Sequence, residues 1–403
     1  MGKHDVEMTP AEQDEALQTA RLLAKEFAEI GPVADSENRF PVEIVPRYKD
    51  TGLTTLGVPK RFGGMGGDIW TVARVSRELA KGDPAIALAF NMHQIMVGNL
   101  RGILEDETRE RFFSDVVAGN KLICGAFSEE RAGLMGLADT VAVPDGEGGW
   151  RISGRKTWGT LCQGADVVVF NATITEPDGN LPDDLGQHAA REGVFILSMD
   201  NPGISIVETW DTMGMRGTGT HTVVFDSAAA PPDSYGGHFR SKLFGEFEWN
   251  ALLFAGVYCG LAEKVYEETR EILKKKSLGA TMEGADVALK GLGHVHHGLG
   301  RMCLETEVAT RTLESTARIL LEGRDADWNI VSRSAFIGGA KVVATETAIS
   351  VADQALRLVG GGSFRRGHVL ERLYRDARSG PFHPLTTDKL YETLGQSELG
   401  LFG

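Results

Sequence analysis

The chain is poor in cysteine. Its four residues, Cys124, Cys162, Cys259 and Cys303, are scattered over 403 positions without a CxxC pair, which excludes a disulfide scaffold and gives no zinc-ligand spacing. They read as reduced core thiols. Positive charge is also short: 42 Lys and Arg stand against 56 Asp and Glu, a formal net charge of -14, so there is no cationic footprint for nucleic acid or an anionic membrane. Long apolar runs are missing as well. The longest, Ala251 to Ala262, falls short of the roughly 20 residues that span a bilayer, and the polar, acidic N-terminus lacks a secretory pattern, so a cytoplasmic protein is expected. No P-loop, HExxH or GxSxG occurs. Two glycine clusters do not replace them: Gly63 to Gly67 lacks GxGxxG spacing, and Gly360 to Gly362 closes a helical segment, where glycine is favoured for its left-handed backbone.

What remains is an ordinary globular composition, 42% hydrophobic and 24% charged, long enough for two or three domains and a large buried cofactor. Apolar residues recur at helical spacing early in the chain, as in Ala16, Ala20, Leu23 and Phe27, which predicts a helical domain over residues 1–120. Short β-type runs follow at Leu122 to Phe127, Trp150 to Ile152, Val167 to Ile174, Val194 to Leu197 and His221 to Phe225. No helix-length segment separates them, so an antiparallel barrel or sandwich is expected over 121–235, with a mobile loop from Thr175 to Glu192. Helical spacing returns at Leu252 to Ile272, Leu289 to Leu321 and Ser332 to Leu358, predicting a helical bundle over 236–403. The fold class is α+β. Ser153 to Lys156 spells SxxK, placed in a β-turn and read as chance. His294 and His297 share a helix face with Arg301, and a nearby cation disfavours a divalent ion, so no metal is assigned.

Five clusters then line up in order: Val58-Pro-Lys-Arg-Phe-Gly-Gly-Met-Gly-Gly-Asp68, Phe127-Ser-Glu-Glu-Arg-Ala-Gly133, Ser153-Gly-Arg-Lys-Thr-Trp158, Met213-Gly-Met-Arg-Gly-Thr-Gly-Thr220 with Val223-Val-Phe-Asp226, and Val359-Gly-Gly-Gly-Ser-Phe364 with Tyr374-Arg-Asp-Ala-Arg378. In this order and spacing, over roughly residues 10 to 395, the chain resembles the acyl-CoA dehydrogenase superfamily. The resemblance implies a flavin, FAD or alternatively FMN or a diffusible reduced flavin, between the β domain and the C-terminal helices. It implies that Phe127 and Ser128 bond the pyrimidine edge, that Trp158 packs on the ring and that Thr160 bonds near N5. It further implies a homotetramer in which Lys275 and the turn at Gly360 and Gly361 meet a neighbouring subunit's cofactor, with an electron-transfer flavoprotein or a flavin reductase as redox partner.

The pattern breaks at the base. An acyl-CoA dehydrogenase needs a carboxylate to take the α-proton of its thioester substrate. Most members place it eight residues after the Asp of Arg-Asp-Ala, which here is Pro384; others use an earlier helix position, which here is Asn250. His383 precedes the first slot and is the expected titratable group, with an ordinary imidazole pKa near 6.5, as base or as donor to a flavin adduct. His93 is a second candidate facing the same cavity. Glu248 lies about 200° around the helix from Asn250 and points away. The family's Arg at the cofactor-gripping turn is Lys275, which keeps the charge and loses the bidentate fork. Dehydrogenation of an acyl thioester with a relocated base is placed first and two-component oxygenation of a small molecule second. A non-catalytic subunit of a hetero-oligomer comes third.

Overall fold

The first helix starts where the chain supplies its own cap. Thr9 accepts from the Glu12 N–H while the Glu12 carboxylate accepts from the Thr9 N–H, and Pro10 fills the first helical position. The computed structural model describes residues 7–130, 137–181, 191–239, 247–280, 286–384 and 386–401. Its N-terminal part is helical: α1 (Pro10–Glu37), α2 (Ile44–Asp50), α3 (Ile69–Ala80), α4 (Pro84–Ile103) and α5 (Asp106–Ala118). Eight strands follow, β1 (Ile123–Ala126), β2 (Val141–Pro144), β3 (Trp150–Gly159), β4 (Val167–Ile174), β5 (Glu192–Ser198), β6 (Ile204–Val207), β7 (His221–Ala230) and β8 (Tyr235–His238). The C-terminal part holds α6 (Phe247–Lys275), a small hairpin of β9 (Ser277–Ala280) and β10 (Asp286–Ala288), and then α7 (Gly293–Leu321), α8 (Ile330–Val359), α9 (Val369–Ala377) and α10 (Thr387–Glu398).

The sheet runs β6-β7-β3-β2-β4-β5-β8, with β1 also on β4. It is not wholly antiparallel, as the sequence led us to expect. Both β1 and β2 lie parallel to β4, and neither β1 nor β2 reaches β4 through a crossover helix among the described residues. The SxxK stretch corrects in the same way: Ser153 to Lys156 lies inside β3, not in a turn. Cys124, Cys162 and Cys259 are buried, whereas Cys303 is exposed, so only three of the four thiols are core residues. Of the loop expected from Thr175 to Glu192, residues 182–190 lie outside the described residues. Helix α8 is long and apolar enough to cross a membrane, yet 56% of its most apolar window is buried inside the protein.

Three segments distant in sequence meet on α9. The Arg375 guanidinium holds the Asp35 carboxylate of α1 in a two-pronged bond at 2.8 and 2.6 Å and donates to the Met213 carbonyl at 2.9 Å. Arg372, itself buried, pairs with Asp83, whose other oxygen caps α4 through the Ala85 and Ile86 N–H groups. Asp376 accepts from the Met215 N–H at 2.6 Å. Burial pushes its carboxyl up to about 7 against the pull of Arg372. Gly214 makes this approach feasible, because a Cβ there would lie 2.2 Å from the Arg375 carbonyl oxygen.

Truncating one member of a buried ion pair leaves the other charge without its partner, a loss of about 3–5 kcal/mol. Arg372→Ala should lower the unfolding free energy by that amount in urea titrations, whereas Arg318→Ala, which breaks an exposed pair with Glu314 on α7, should cost under about 1 kcal/mol. Equal effects would remove the special place given to the α9 charges.

Candidate active site

At the edge of the β domain, β3 bulges before Gly159, and Trp158 takes a left-handed backbone (φ 57°) that an aromatic residue rarely adopts. Its ring is 60% exposed. A core role is thereby excluded. The Thr157 N–H donates to the Ser128 carbonyl at 2.8 Å, which lays the segment after β1 beside the end of β3 and gathers Phe127, Ser128, Trp158 and Thr160 on one edge. Phe127 stacks on Phe239, with ring centroids 5.3 Å apart.

Beside that edge lies an ionic network whose two main members, Glu129 and Lys156, stand in two of the sequence clusters without their pairing being legible there. The Lys156 ammonium, fully buried, meets Glu129 at 2.7 Å and donates to Asn171 Oδ1 at 2.8 Å. Glu129 also accepts from the Asp139 and Thr140 N–H groups and the Thr140 hydroxyl. Burial alone would raise the Glu129 carboxyl, but Lys156 and these donors outweigh it and hold it below the usual range. Burial lowers the Lys156 ammonium, with Glu129 opposing. Glu129 follows Ser128 and Lys156 precedes Trp158 by two, so the pair fixes both arms of the edge.

On the helical side, the His383 imidazole stacks on Phe254 of α6 at 4.2 Å and 13°. Its Nε2 lies 2.8 Å from the Tyr258 hydroxyl, which is 2.7 Å from the Ser379 hydroxyl, and Ser379 donates to the Asp376 carbonyl at 2.7 Å. Lys341, pushed down to about 8 by burial, donates to the His383 carbonyl at 3.0 Å. The expectation of an ordinary imidazole is corrected: burial, helped by the Lys341 charge, pushes His383 down to about 3, so it is neutral at physiological pH.

Two sets of hydrogen bonds, linked through the backbone of Met215 and the residue Asp376, join the two sides. The Thr160 hydroxyl meets that of Thr220 at 2.9 Å, Thr220 meets Thr218 at 2.6 Å, and Thr218 donates to the Met215 carbonyl at 2.9 Å. Met215 then donates to Asp376, whose carbonyl receives Ser379. Neither base slot holds a carboxylate. Pro384 occupies the first, and Asn250 in the second accepts from the Asn99 amide at 2.8 Å. Glu248 turns instead to Arg333, 3.3 Å away, which also pairs with Asp325 at 2.7 Å.

The other candidates fall elsewhere. His93 does not join His383. Its Nε2 meets the Thr54 carbonyl at 2.7 Å and its Nδ1 accepts from the Ile123 N–H at 3.1 Å, so both nitrogens are consumed in fastening α4 to the turn after α2 and to β1. Burial pushes it down to about 4. Lys275 is exposed at the end of α6, with no partner among the described residues; its neighbour Lys276 reaches the Val359 carbonyl at 2.5 Å. There α8 ends on Gly360 (φ 86°), where Gly360 and Gly361 have open space around them. Among the described residues no three His, Cys, Asp or Glu are grouped to hold a metal.

Models of the acyl-CoA dehydrogenase N-terminal, middle and C-terminal domains match residues 10–120, 124–228 and 243–383. The chain belongs to the acyl-CoA dehydrogenase superfamily. Membership makes it a flavin-dependent oxidoreductase. Its relatives divide by chemistry. The L-evernosamine nitrososynthase of Micromonospora sp. is 27% identical over 98% of this chain and 92% of its own length. The bovine mitochondrial short-chain specific acyl-CoA dehydrogenase is 26% identical over 91% and 86%. In fold, the FMN-bound TdsC of Paenibacillus sp. A11-2 matches with a TM-score of 0.83 at 23% identity, covering 94% of this chain and 96% of that one.

His93 yields a pH test. Its folded pKa lies below the unfolded value of about 6.5, so its contribution is intact above 6.5 and is lost as pH falls through about 4. His93→Gln removes that titration. The stability difference between wild type and variant should shrink by roughly 3 kcal/mol from pH 6.5 to 4, as read by urea unfolding at each pH. A constant difference would contradict a buried, neutral His93.

Proposed function

We propose that the protein uses reduced flavin and dioxygen to oxygenate a small molecule, accepting the flavin from a partner reductase. The observation behind this reading is that, among the described residues, neither of the two base positions holds a carboxylate. Pro384 and Asn250 stand in the two carboxylate positions, and His383 is held neutral with its pKa driven to about 3. Dehydrogenation, placed first on the sequence, would need Glu248 to abandon Arg333 and turn around its helix.

The β-domain edge fits a flavin. An apolar ring that is 60% exposed and carried on an unfavourable backbone is a cost without a partner to cover it. Trp158 would pack on the isoalloxazine, Thr160 would bond near its reactive edge, and Phe127 and Ser128 would hold the pyrimidine edge. When bound and reduced, the flavin supplies the two electrons that, with dioxygen, place one oxygen atom on the substrate and release the other as water. The protein's part is to orient substrate through groups such as His383 and to keep bulk water away. Lys275 offers a single charge in place of a fork, which suits a diffusible flavin, FMN or FAD, held loosely. The open turn at Gly360 and Gly361 beside exposed Lys275 suits the expected homotetramer.

Two measurements test this. Trp158→Ala should weaken flavin binding about tenfold or more, the scale of one lost aromatic stacking partner, with the melting temperature unchanged; full affinity would displace the flavin from this edge. Mixed anaerobically with acyl-CoAs from short to long chain, the flavin-loaded protein should stay yellow. Stoichiometric bleaching by any of them would make it a dehydrogenase.

A further inference from the structure

Three short contacts around Tyr258 decide where the His383 proton sits. Ser379 has one hydroxyl hydrogen, and the Asp376 carbonyl 2.7 Å away can only accept it. The Tyr258 hydroxyl lies 2.7 Å from the same Ser379 oxygen, and this contact then needs the hydrogen of Tyr258. Burial pushes that phenol up, so it keeps its proton. With Tyr258 donating to Ser379, the 2.8 Å contact to His383 needs a hydrogen from Nε2. Only one arrangement supplies all three: Nε2–H to Tyr258, Tyr258 to Ser379, Ser379 to Asp376.

We propose that Tyr258, backed by Ser379, is a positioning residue that fixes His383 in its Nε2–H tautomer and so presents Nδ1 as a hydrogen-bond acceptor for a ligand N–H or O–H group. Nε2 is taken by Tyr258, and Nδ1 has no partner among the described residues. The stacked Phe254 and the Lys341 bond to the His383 carbonyl hold the ring and its backbone, leaving the proton as the variable that Tyr258 sets. A neutral Nδ1 of low basicity accepts a hydrogen bond without taking the proton, which suits orientation of a hydroxyl, an amine or the N–H of a reduced flavin. The tautomer follows from the three contacts and a protonated Tyr258; its use in the reaction rests on the oxygenase reading.

The test is spectroscopic and needs no turnover, so it can fail independently of that reading. Full-length protein labelled with 15N-histidine is read by long-range 1H–15N correlation near neutral pH, with His383→Gln assigning the ring. Wild type should carry its proton on Nε2, with Nδ1 bare. In Ser379→Ala, Tyr258 loses its acceptor and turns its hydrogen to Nε2, so the His383 proton should move to Nδ1. Tyr258→Phe removes the acceptor of Nε2–H and should likewise populate the Nδ1–H form. Circular dichroism establishes that each variant is folded. A wild-type ring protonated at Nδ1, or an Nε2–H signal unchanged in both folded variants, would overturn the proposal.

Discussion

The buried Asp376 on α9 is the constraint on which the rest of the arrangement depends. A carboxyl group enclosed this far is costly unless its surroundings satisfy it. Here the satisfaction comes from the Met215 N–H and the nearby Arg372, while the neighbouring Arg375 grips Asp35. Each partner brings a different part of the chain with it. The α1 helix, the loop before β7 and the last helices are therefore held in register by one cluster of charges.

From that cluster two arms of hydrogen bonds run outward, through the threonines to Thr160 and through Ser379 and Tyr258 to His383. A shift of α9 would be felt at both. Side chains of the β domain and of the C-terminal helices are thus kept in a common frame, the kind of support that a site needs to hold its geometry. The electrical character follows. Glu248 is matched by Arg333 and Glu129 by Lys156, and His383 stands as a neutral imidazole among hydroxyls.

Long periodic segments were legible from the sequence because burial imposes a period over many residues: α6, α7 and α8 fall where the helical spacing put them, and β4 has the bounds of its apolar run. The four-residue strands β2, β6 and β8 were not legible. They are too short for alternation to register, and their pairing is decided by the longer strands beside them. The parallel pairings of β1 and β2 on β4 depend on where loops return, which carries no local signal. The same limit applies to the site. Trp158 and Thr160 belong to a contiguous pattern, but Tyr258 meets His383 125 residues away, and Lys156 finds Glu129 only across the folded sheet. The depressed pKa of His383 follows from enclosure by Phe254 and Lys341, which no neighbour in sequence announces.

The reach of the α9 contacts has a bearing on how the polypeptide is made. Asp35 waits 340 residues for Arg375, and Asp83 waits 289 for Arg372. While the chain emerges from the ribosome, the N-terminal helices can collapse on their apolar faces, but the paired oxygens of two of their acids stay hydrated until α9 has been synthesised. A chain terminated before α9 would be left with a loosened helical layer and exposed apolar surface, the kind of species that chaperones and proteases retain. Docking of α9 is in this sense the step that closes the helical layer.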